Sequence, residues 1–341
     1  MTKSESLPTY AQIAQKAKVS TKTVCNVFRT PDIVRSKTAQ KVLTALKDLG
    51  VEDPEVMSAR LRPPRERTIQ SIMFLEAGMP SGSLSAPVYA KIIQAAELRA
   101  HELGWQLSLR HKQNGESLKE ALRNFQGGGI ILFGKSVVYD ELQSVIPGVP
   151  AVRLLAPPAS RLDCDNVDYD RLEMPRIAAR ELHSKGCRQV AYIGPDDARA
   201  DLFLEEAARL GMTATDVRQD GIFSARGSVQ IVNREALQAA FEKIMSRMPD
   251  GLFVHSDNIT NSLYPLFAKN RIKPGKDIRI VSCNADELFL SALHPRPSSI
   301  DIHPGEIGRR GVDQLLWRIE NKEAPPSTVI IRPQLVPGEE A

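Results

Sequence analysis

Tyr10–Arg29, YAQIAQKAKVSTKTVCNVFR, decides the first fold of this chain. Ile13, Ala14 and Ala17 fall at i, i+1 and i+4, one apolar face behind Thr9, which suits an N-cap. Lys18-Val19-Ser20 reads as a tight turn, with Val19 able to drop inward and Ser20 able to cap the next helix. That second helix, Thr21–Phe28, turns Val24, Val27 and Phe28 inward and Thr21, Lys22, Cys25, Asn26 and Arg29 outward. A third helix over Ser36–Leu49 places Val42, Leu43, Leu46 and Leu49 at core spacing and stops at Gly50. Three short helices around an apolar interior, the second polar and basic outside, fit a helix-turn-helix whose second helix enters the DNA major groove. They fit equally a small bundle with a solvated face.

The next segment separates these two. Pro54–Arg62, PEVMSARLR, is a short amphipathic stretch with Arg60 and Arg62 beside Leu61, closed by Pro63-Pro64. The order AQIAQKAKVSTKTVCNVF, VRSKTAQKVLTALKDLG, then P-x-x-x-(small)-x-x-L-R resembles the lactose-repressor (LacI) family of bacterial transcription regulators. The resemblance implies that residues 53–67 form a hinge helix and linker on DNA, with Leu61 wedged into the minor groove. Such a wedge costs a few kcal/mol of unstacking, offset by contact with a bent duplex.

Charge agrees. Residues 1–67 carry 13 Lys+Arg against 7 Asp+Glu, a balance of +6, while the remainder carries 32 against 34. The positive excess therefore sits on the end that would neutralise phosphates. Hydrophobic content of 42% and charged content of 25% are ordinary for a globular protein with room for more than one domain. No apolar run reaches the roughly 20 residues of a membrane span, and the N-terminus is too polar for a signal peptide. Cys25, Cys164, Cys187 and Cys283 lack metal-site or disulfide spacing, so a reducing cytoplasm and no metal are expected. No GxSxG elbow, P-loop, HExxH or strand-following GxGxxG is present, which argues against an enzyme and gives no sign of a cofactor. Gly127–Gly129 precede a strand, the wrong side for phosphate binding.

From Thr68 short apolar runs alternate with helical stretches. Ser71–Leu75, Trp105–Leu109, Gly129–Phe133 and Ala151–Leu155 read as strands; after them Gln189–Ile193, Asp216–Phe223, Gly251–His255 and Ile278–Cys283 repeat the pattern. Strands separated by helices imply right-handed crossovers and doubly wound parallel sheets. The resemblance implies a periplasmic-binding-protein-like core of two α/β subdomains facing one cleft. The expected organisation is a helix-turn-helix domain over 1–52, the hinge over 53–67, an N-subdomain over 68–157 and 288–320, and a C-subdomain over 158–287 and 321–335. The three crossings are then expected near Ala156–Arg161, Ala285–Leu290 and Asn321–Ser327. Gly305–Gly311 matches the family's E-x-G-R-x-(small) helix start and is expected to be structural, with Glu306 and Arg310 able to pair at i, i+4.

Ligands in open α/β sheets sit beyond the carboxyl ends of strands, which selects the loops there. Tyr89, where the family has an N-P-F-F run, either packs at its helix start or stacks on a sugar. Arg199 falls where sugar-responsive members carry an arginine, although Leu202 replaces their glycine; its fork suits vicinal hydroxyls or a carboxylate. Asp257 matches a family aspartate that accepts two sugar hydroxyls, and it or Ser256 can also cap the following helix. Asp165 with Asn166 stands for a family D-N pair, Asn284 for a common Asp, and His111 is a further loop candidate. Arg, Asp, Asn and aromatics together fit a polyhydroxylated effector, with a purine-type effector or none as the alternative.

For DNA, the resemblance carries over Thr21, Lys22 and Asn26 as base readers, Arg29 and Arg35 as phosphate contacts, and Leu61 as the wedge. Asn26 stands where most relatives have arginine, so a different operator is expected. Lys18 replaces a turn glycine that favours φ > 0, and Arg35 replaces a serine cap. The expectation is a repressor that binds a pseudo-palindromic operator as a homodimer under control of a small ligand. Pro333–Ala341 holds no leucine heptad, so a dimer rather than a tail-assembled tetramer is expected.

Overall fold

Three helices, α1 (Tyr10–Ala17), α2 (Thr21–Arg29) and α3 (Ser36–Lys47), build the N-terminal unit of the computed structural model. The structure describes residues 7–29, 34–51, 53–54, 70–77, 86–113, 115–134, 137–156, 164–226 and 229–339. It divides into two units, Met1–Ile69 and Gln70–Ala341. Leu61 and most of the expected hinge lie outside the described residues.

Thr9 starts α1 with a reciprocal capping box: its Oγ1 accepts from the Gln12 amide at 3.3 Å, and its own amide donates to Gln12 Oε1 at 2.7 Å. Ser20 does similar work for α2, its Oγ accepting from the Thr23 amide at 3.1 Å. The chain leaves α1 through Lys18 at φ 52°, ψ 47°, so the turn does take the left-handed conformation that glycine would adopt freely. Lysine bears a steric cost there of roughly 1–2 kcal/mol. Ile13, Val24, Val42 and Leu46 are fully buried, joined by Ala14, Ala17, Val27, Ala45 and Val51. Leu43 is only half-buried and Ala45 takes the interior place, because α3 turns its 42–45–46 face inward.

The second unit carries two six-stranded sheets. In the first, β1 (Ser71–Ala77), β2 (Gln106–His111), β3 (Gly129–Gly134), β4 (Ala151–Leu154), β5 (Asp165–Tyr169) and β13 (Thr328–Ile331) lie in the order β13-β5-β4-β3-β1-β2, all parallel. In the second, β6 (Gln189–Gly194), β7 (Thr213–Arg218), β10 (Gly251–Val254), β11 (Arg279–Cys283), β12 (Ser298–Asp301) and β14 (Gln334–Val336) run β14-β12-β11-β10-β6-β7, with only β14 antiparallel. The stretch expected as a strand over 216–223 instead breaks at Gly221 and opens an antiparallel hairpin, β8 (Phe223–Arg226) and β9 (Val229–Val232). Helices α4 (Pro87–Glu102), α5 (Leu118–Ala121), α6 (Val137–Val145), α7 (Glu173–Ser184), α8 (Ala198–Arg209), α9 (Arg234–Met245), α10 (Asp257–Lys269), α11 (Glu287–Leu290) and α12 (Pro304–Glu320) make up the remaining layers.

The sheet crossings differ from the sequence expectation. Residues 165–169 pair with β4 (Val152↔Asp165) and with β13 (Asn166↔Thr328), so they belong to the first sheet. The chain passes between sheets after Tyr169, again between Asp301 and Pro304, and finally at Arg332–Pro333. Residues 298–301 accordingly belong to the second sheet and 328–331 to the first. The physical reason is DNVDY itself: two aspartates hide a strand from any hydrophobic reading, yet all five residues are buried because the charges are paired.

Asp165 shows how. Its Oδ1 accepts from Arg318 Nη2 at 2.7 Å and the Ser327 amide at 2.8 Å; its Oδ2 accepts from Arg318 Nε at 2.9 Å and Gln314 Nε2 at 2.8 Å. Burial works to raise the Asp165 pKa, but the Arg318, Gln314 and Ser327 donors outweigh it and hold the carboxyl below its usual range. The fork ties β5 to α12 and to the entrance of β13. α12 in turn packs on α4 closely enough that a Cβ on Gly308 would overlap the Ile92 carbonyl oxygen, and one on Gly311 would press on Leu154 at 2.8 Å. The family-like glycines are therefore packing residues, and Glu306 pairs with Arg310 at 2.7 Å on the outer face. Arg318→Met leaves Asp165 buried without its counter-charge. It should lower unfolding stability by about 3–5 kcal/mol, measured by urea denaturation; an unchanged midpoint would refute the role given to this pair.

Candidate functional site

Parallel strands deliver their carboxyl ends to one edge, and there the two sheets enclose a cleft of about 680 Å³. The residues at or just past these ends line it: Phe133 and Gly134 after β3, Leu155 after β4, Tyr169 and Arg171 after β5, Pro195 after β6, His255 after β10, and Asn284 after β11. Phe223 and Ile231 of the hairpin, Leu288 and Phe289 of α11, and Ile302 add apolar wall. Such a volume, mostly apolar with a few polar groups aimed inward, falls in the range of about 300–1,000 Å³ typical of small-molecule sites.

Three of the five ligand candidates line this cleft: Tyr89, Arg199 and Asn284. Tyr89 stands edge-on to Phe133, centroids 4.9 Å apart. Burial raises its pKa, against the opposing fields of Arg199 and Arg171. Arg199, in the first turn of α8, pairs through Nε with Asp197 Oδ2 at 3.0 Å and donates through Nη1 to the His255 carbonyl at 3.3 Å. Asn284 sits at φ 101° and Ala285 at φ 48°, consecutive left-handed residues of the kind that concentrate at functional sites.

Two candidates must be corrected. Asp165 begins β5, at the amino end of the strand and away from the cleft, and Arg318 and its neighbours occupy both of its oxygens. Asp257 is fully buried at the start of α10 and points elsewhere, accepting from the Asp286 amide at 2.7 Å and Ser299 Oγ at 2.8 Å. Burial, against hydrogen bonds from Ser282, Asp286 and Ser299, pushes its pKa up to about 6. The flanking Ser256 and Asn258 line the cleft in its place. Asn166 and His111 do not line it either; His111 pairs with the buried Glu76 across β1 and β2.

Arg171 was not anticipated, since its strand went unread; the rule that selects residues after strand ends would otherwise have found it. Its Nε donates to Asp168 Oδ2 at 2.7 Å and its guanidinium lies 4.9 Å from the Tyr169 ring centroid. His255 is equally new. Its Nδ1 lies 3.1 Å from Tyr192 Oη and 3.3 Å from Asp197 Oδ2.

On the N-terminal unit, Thr21 and Lys22 are exposed on α2, and Asn26 is half-buried beside them. Arg35 is exposed and makes no side-chain cap to α3, leaving its guanidinium available. The Arg29 side chain and Leu61 lie outside the described residues.

Burial and the Arg199 charge lower the His255 pKa to about 4, against the pull of Asp197. This imidazole is therefore neutral at pH 7. Between pH of about 6.5 and 4 the unfolded chain binds a proton that the folded chain refuses, so His255 makes stability fall as pH drops through that window. NMR of the imidazole carbons should report a neutral ring at pH 5; protonation with a midpoint near 6.5 would contradict the geometry.

A model described as a periplasmic binding protein-like domain matches residues 179–339. The HTH-type transcriptional regulator GntR of Pseudomonas aeruginosa is 25% identical over 96% of this chain and 94% of its own length. The HTH-type transcriptional repressor CytR of Escherichia coli is 23% identical over 94% and 92%. Among solved structures, a transcriptional regulator CelR–cellobiose complex superposes with TM-score 0.66 at 21% identity, covering 98% of this chain and all of that one. The Lac repressor bound to ONPG gives 0.63 at 18% identity with the same coverage. These relatives are transcriptional regulators rather than enzymes. A three-helix N-terminal unit, two parallel-dominated sheets around a strand-end cleft and likeness along nearly the whole chain make this protein similar to transcriptional regulators of the LacI (lactose-repressor) type.

Proposed function

We propose that the chain represses transcription by binding a pseudo-palindromic operator as a homodimer, and that a small carbohydrate in the cleft sets its affinity for that operator. The observation that carries the effector part is the cleft itself, where Arg199, Asn258 and Asn284 stand among Tyr89, Phe133 and Phe223. Aromatic faces receive the C–H side of a sugar ring, while the amides and guanidinium address its hydroxyls. The name of a further relative, the sucrose operon repressor of Streptococcus mutans, 25% identical over 93% of this chain, is consistent with that class.

For the operator part, Thr21, Lys22 and Asn26 are the base readers, with Arg29 and Arg35 on phosphates and Leu61 at the minor groove. Lysine reaches guanine O6/N7, and asparagine pairs with adenine. No described helix is long and apolar enough to cross a membrane, which accords with a cytoplasmic regulator.

The test is fluorescence anisotropy of the purified chain on fragments from its own promoter region at several salt concentrations. Specific, salt-sensitive binding to one pseudo-palindrome is expected. Asn26→Ala should weaken it by about 1–3 kcal/mol and relax selectivity at one base pair, whereas Arg35→Ala should weaken all sequences alike and reduce the salt slope by about 1. Absence of specific binding at every salt concentration would overturn the reading.

A further inference from the structure

We infer that the effector is an acidic sugar, a polyhydroxylated molecule with one carboxylate or phosphate group held between Arg171 and Arg199. The inference rests on the cleft being the effector site and adds the charge class of what enters it.

The two guanidiniums reach the cleft from opposite sheets, Arg171 just past β5 and Arg199 in the helix after β6. Each has committed its Nε to one carboxylate, Asp168 at 2.7 Å and Asp197 at 3.0 Å. Arg199 spends Nη1 on the His255 carbonyl. Among the described residues, no partner takes the terminal nitrogens of Arg171 or Nη2 of Arg199, so donors in fork geometry remain open on both sides. The Nε pairings fix each fork in place before a ligand arrives, as a preorganised anion clamp requires.

Among the described lining residues Asp286 is the one carboxylate. The aspartate expected to face a neutral sugar, Asp257, is buried and bonded to Asp286 and Ser299. Asp286, which does line the cleft, holds Lys91 Nζ at 3.4 Å and the Leu288 amide at 3.2 Å through Oδ1. The lining thus offers open guanidinium donors from two sides against a single carboxylate, with Asn258 and Asn284 as its neutral side-chain amides. A second observation bears on the ligand: Ser256 is among the lining residues, and its buried Oγ has no hydrogen-bond partner among the described residues. A buried hydroxyl without a partner is unfavourable, and a ligand oxygen that reached it would accept from it, most strongly if anionic.

The test is calorimetric titration of the full chain with matched sugars: D-glucose against D-gluconate, D-glucuronate and D-glucose 6-phosphate, and D-galactose against D-galactonate and D-galacturonate. At least one acid should bind tenfold or more tightly than its neutral counterpart, and more weakly as salt rises. A preference confined to glucose 6-phosphate assigns the acid group as phosphate; one for the sugar acids assigns carboxylate. Arg171→Gln should abolish the preference, and Arg171→Lys should restore part of it. Because Arg171→Gln strips Asp168 of its partner, the double variant Asp168→Asn/Arg171→Gln is run beside it, with the ligand-free thermal midpoint reporting the fold. Neutral sugars binding as well as acids, no acid binding at all, or an acid preference that survives in both variants would each overturn the inference. Operator binding without ligand is measured on the same preparation. A chain that holds its operator yet shows no acid preference sinks this inference alone; one that binds no operator sinks the regulator reading.

Discussion

Strand direction is the constraint on which the core depends. Within the first sheet every pairing is parallel, and within the second only β14 departs. Parallel neighbours require crossovers, and crossovers return each strand to the same end, so the loops after the strands collect at one edge. Arg171, Arg199, His255 and Asn284 come from distant parts of the sequence and meet for that reason alone. The same topology sets where the chain passes between sheets. Of the three passages, the first runs past Tyr169 and Arg171 and the second past Ile302, all lining residues. The connections between the two sheets therefore supply part of the cleft wall.

Charge pairing makes the architecture tolerable. Strand β5 is built from DNVDY, which in isolation should avoid a protein interior. It is buried because Arg318 answers Asp165 and Arg171 answers Asp168. The first pair binds a helix to a strand; the second fixes an arginine at the cleft. The same chemistry thus serves stability at one end of the strand and holds a guanidinium at the cleft at the other.

Much of this was legible from the residues. The 10–50 stretch disclosed its helices, its caps and most of its interior, because short amphipathic helices with Thr and Ser caps leave strong local signals. Lys18 departs from the glycine of the family pattern, yet it takes the left-handed backbone a turn glycine would favour, at φ 52°, and bears the steric cost. The apolar strands SIMFL, GIILF, QVAYI and GLFVH announced themselves by composition. What failed was any feature whose meaning depends on a distant partner. Asp165 looked like a binding-site acid because nothing local reveals Arg318, 153 positions away. Asp257 matched a family position, yet its carboxylate is claimed by Ser299 and the Asp286 amide. Arg171 went unnoticed because the polar strand before it did, and with that strand went the first crossing.

The central claim is that one chain couples a strand-end cleft to a DNA-binding head. Thermodynamic linkage makes it measurable without knowing how the two units move: a ligand that changes operator affinity by some factor must have its own affinity changed by the same factor when operator is bound. The decisive experiment titrates the tightest-binding sugar of the panel into the full chain, once free and once saturated with operator. The account predicts dissociation constants that differ by at least about fivefold, matching the shift in operator affinity measured in reverse. Equal constants with and without operator would show that the cleft and the helix-turn-helix are uncoupled, and would contradict it.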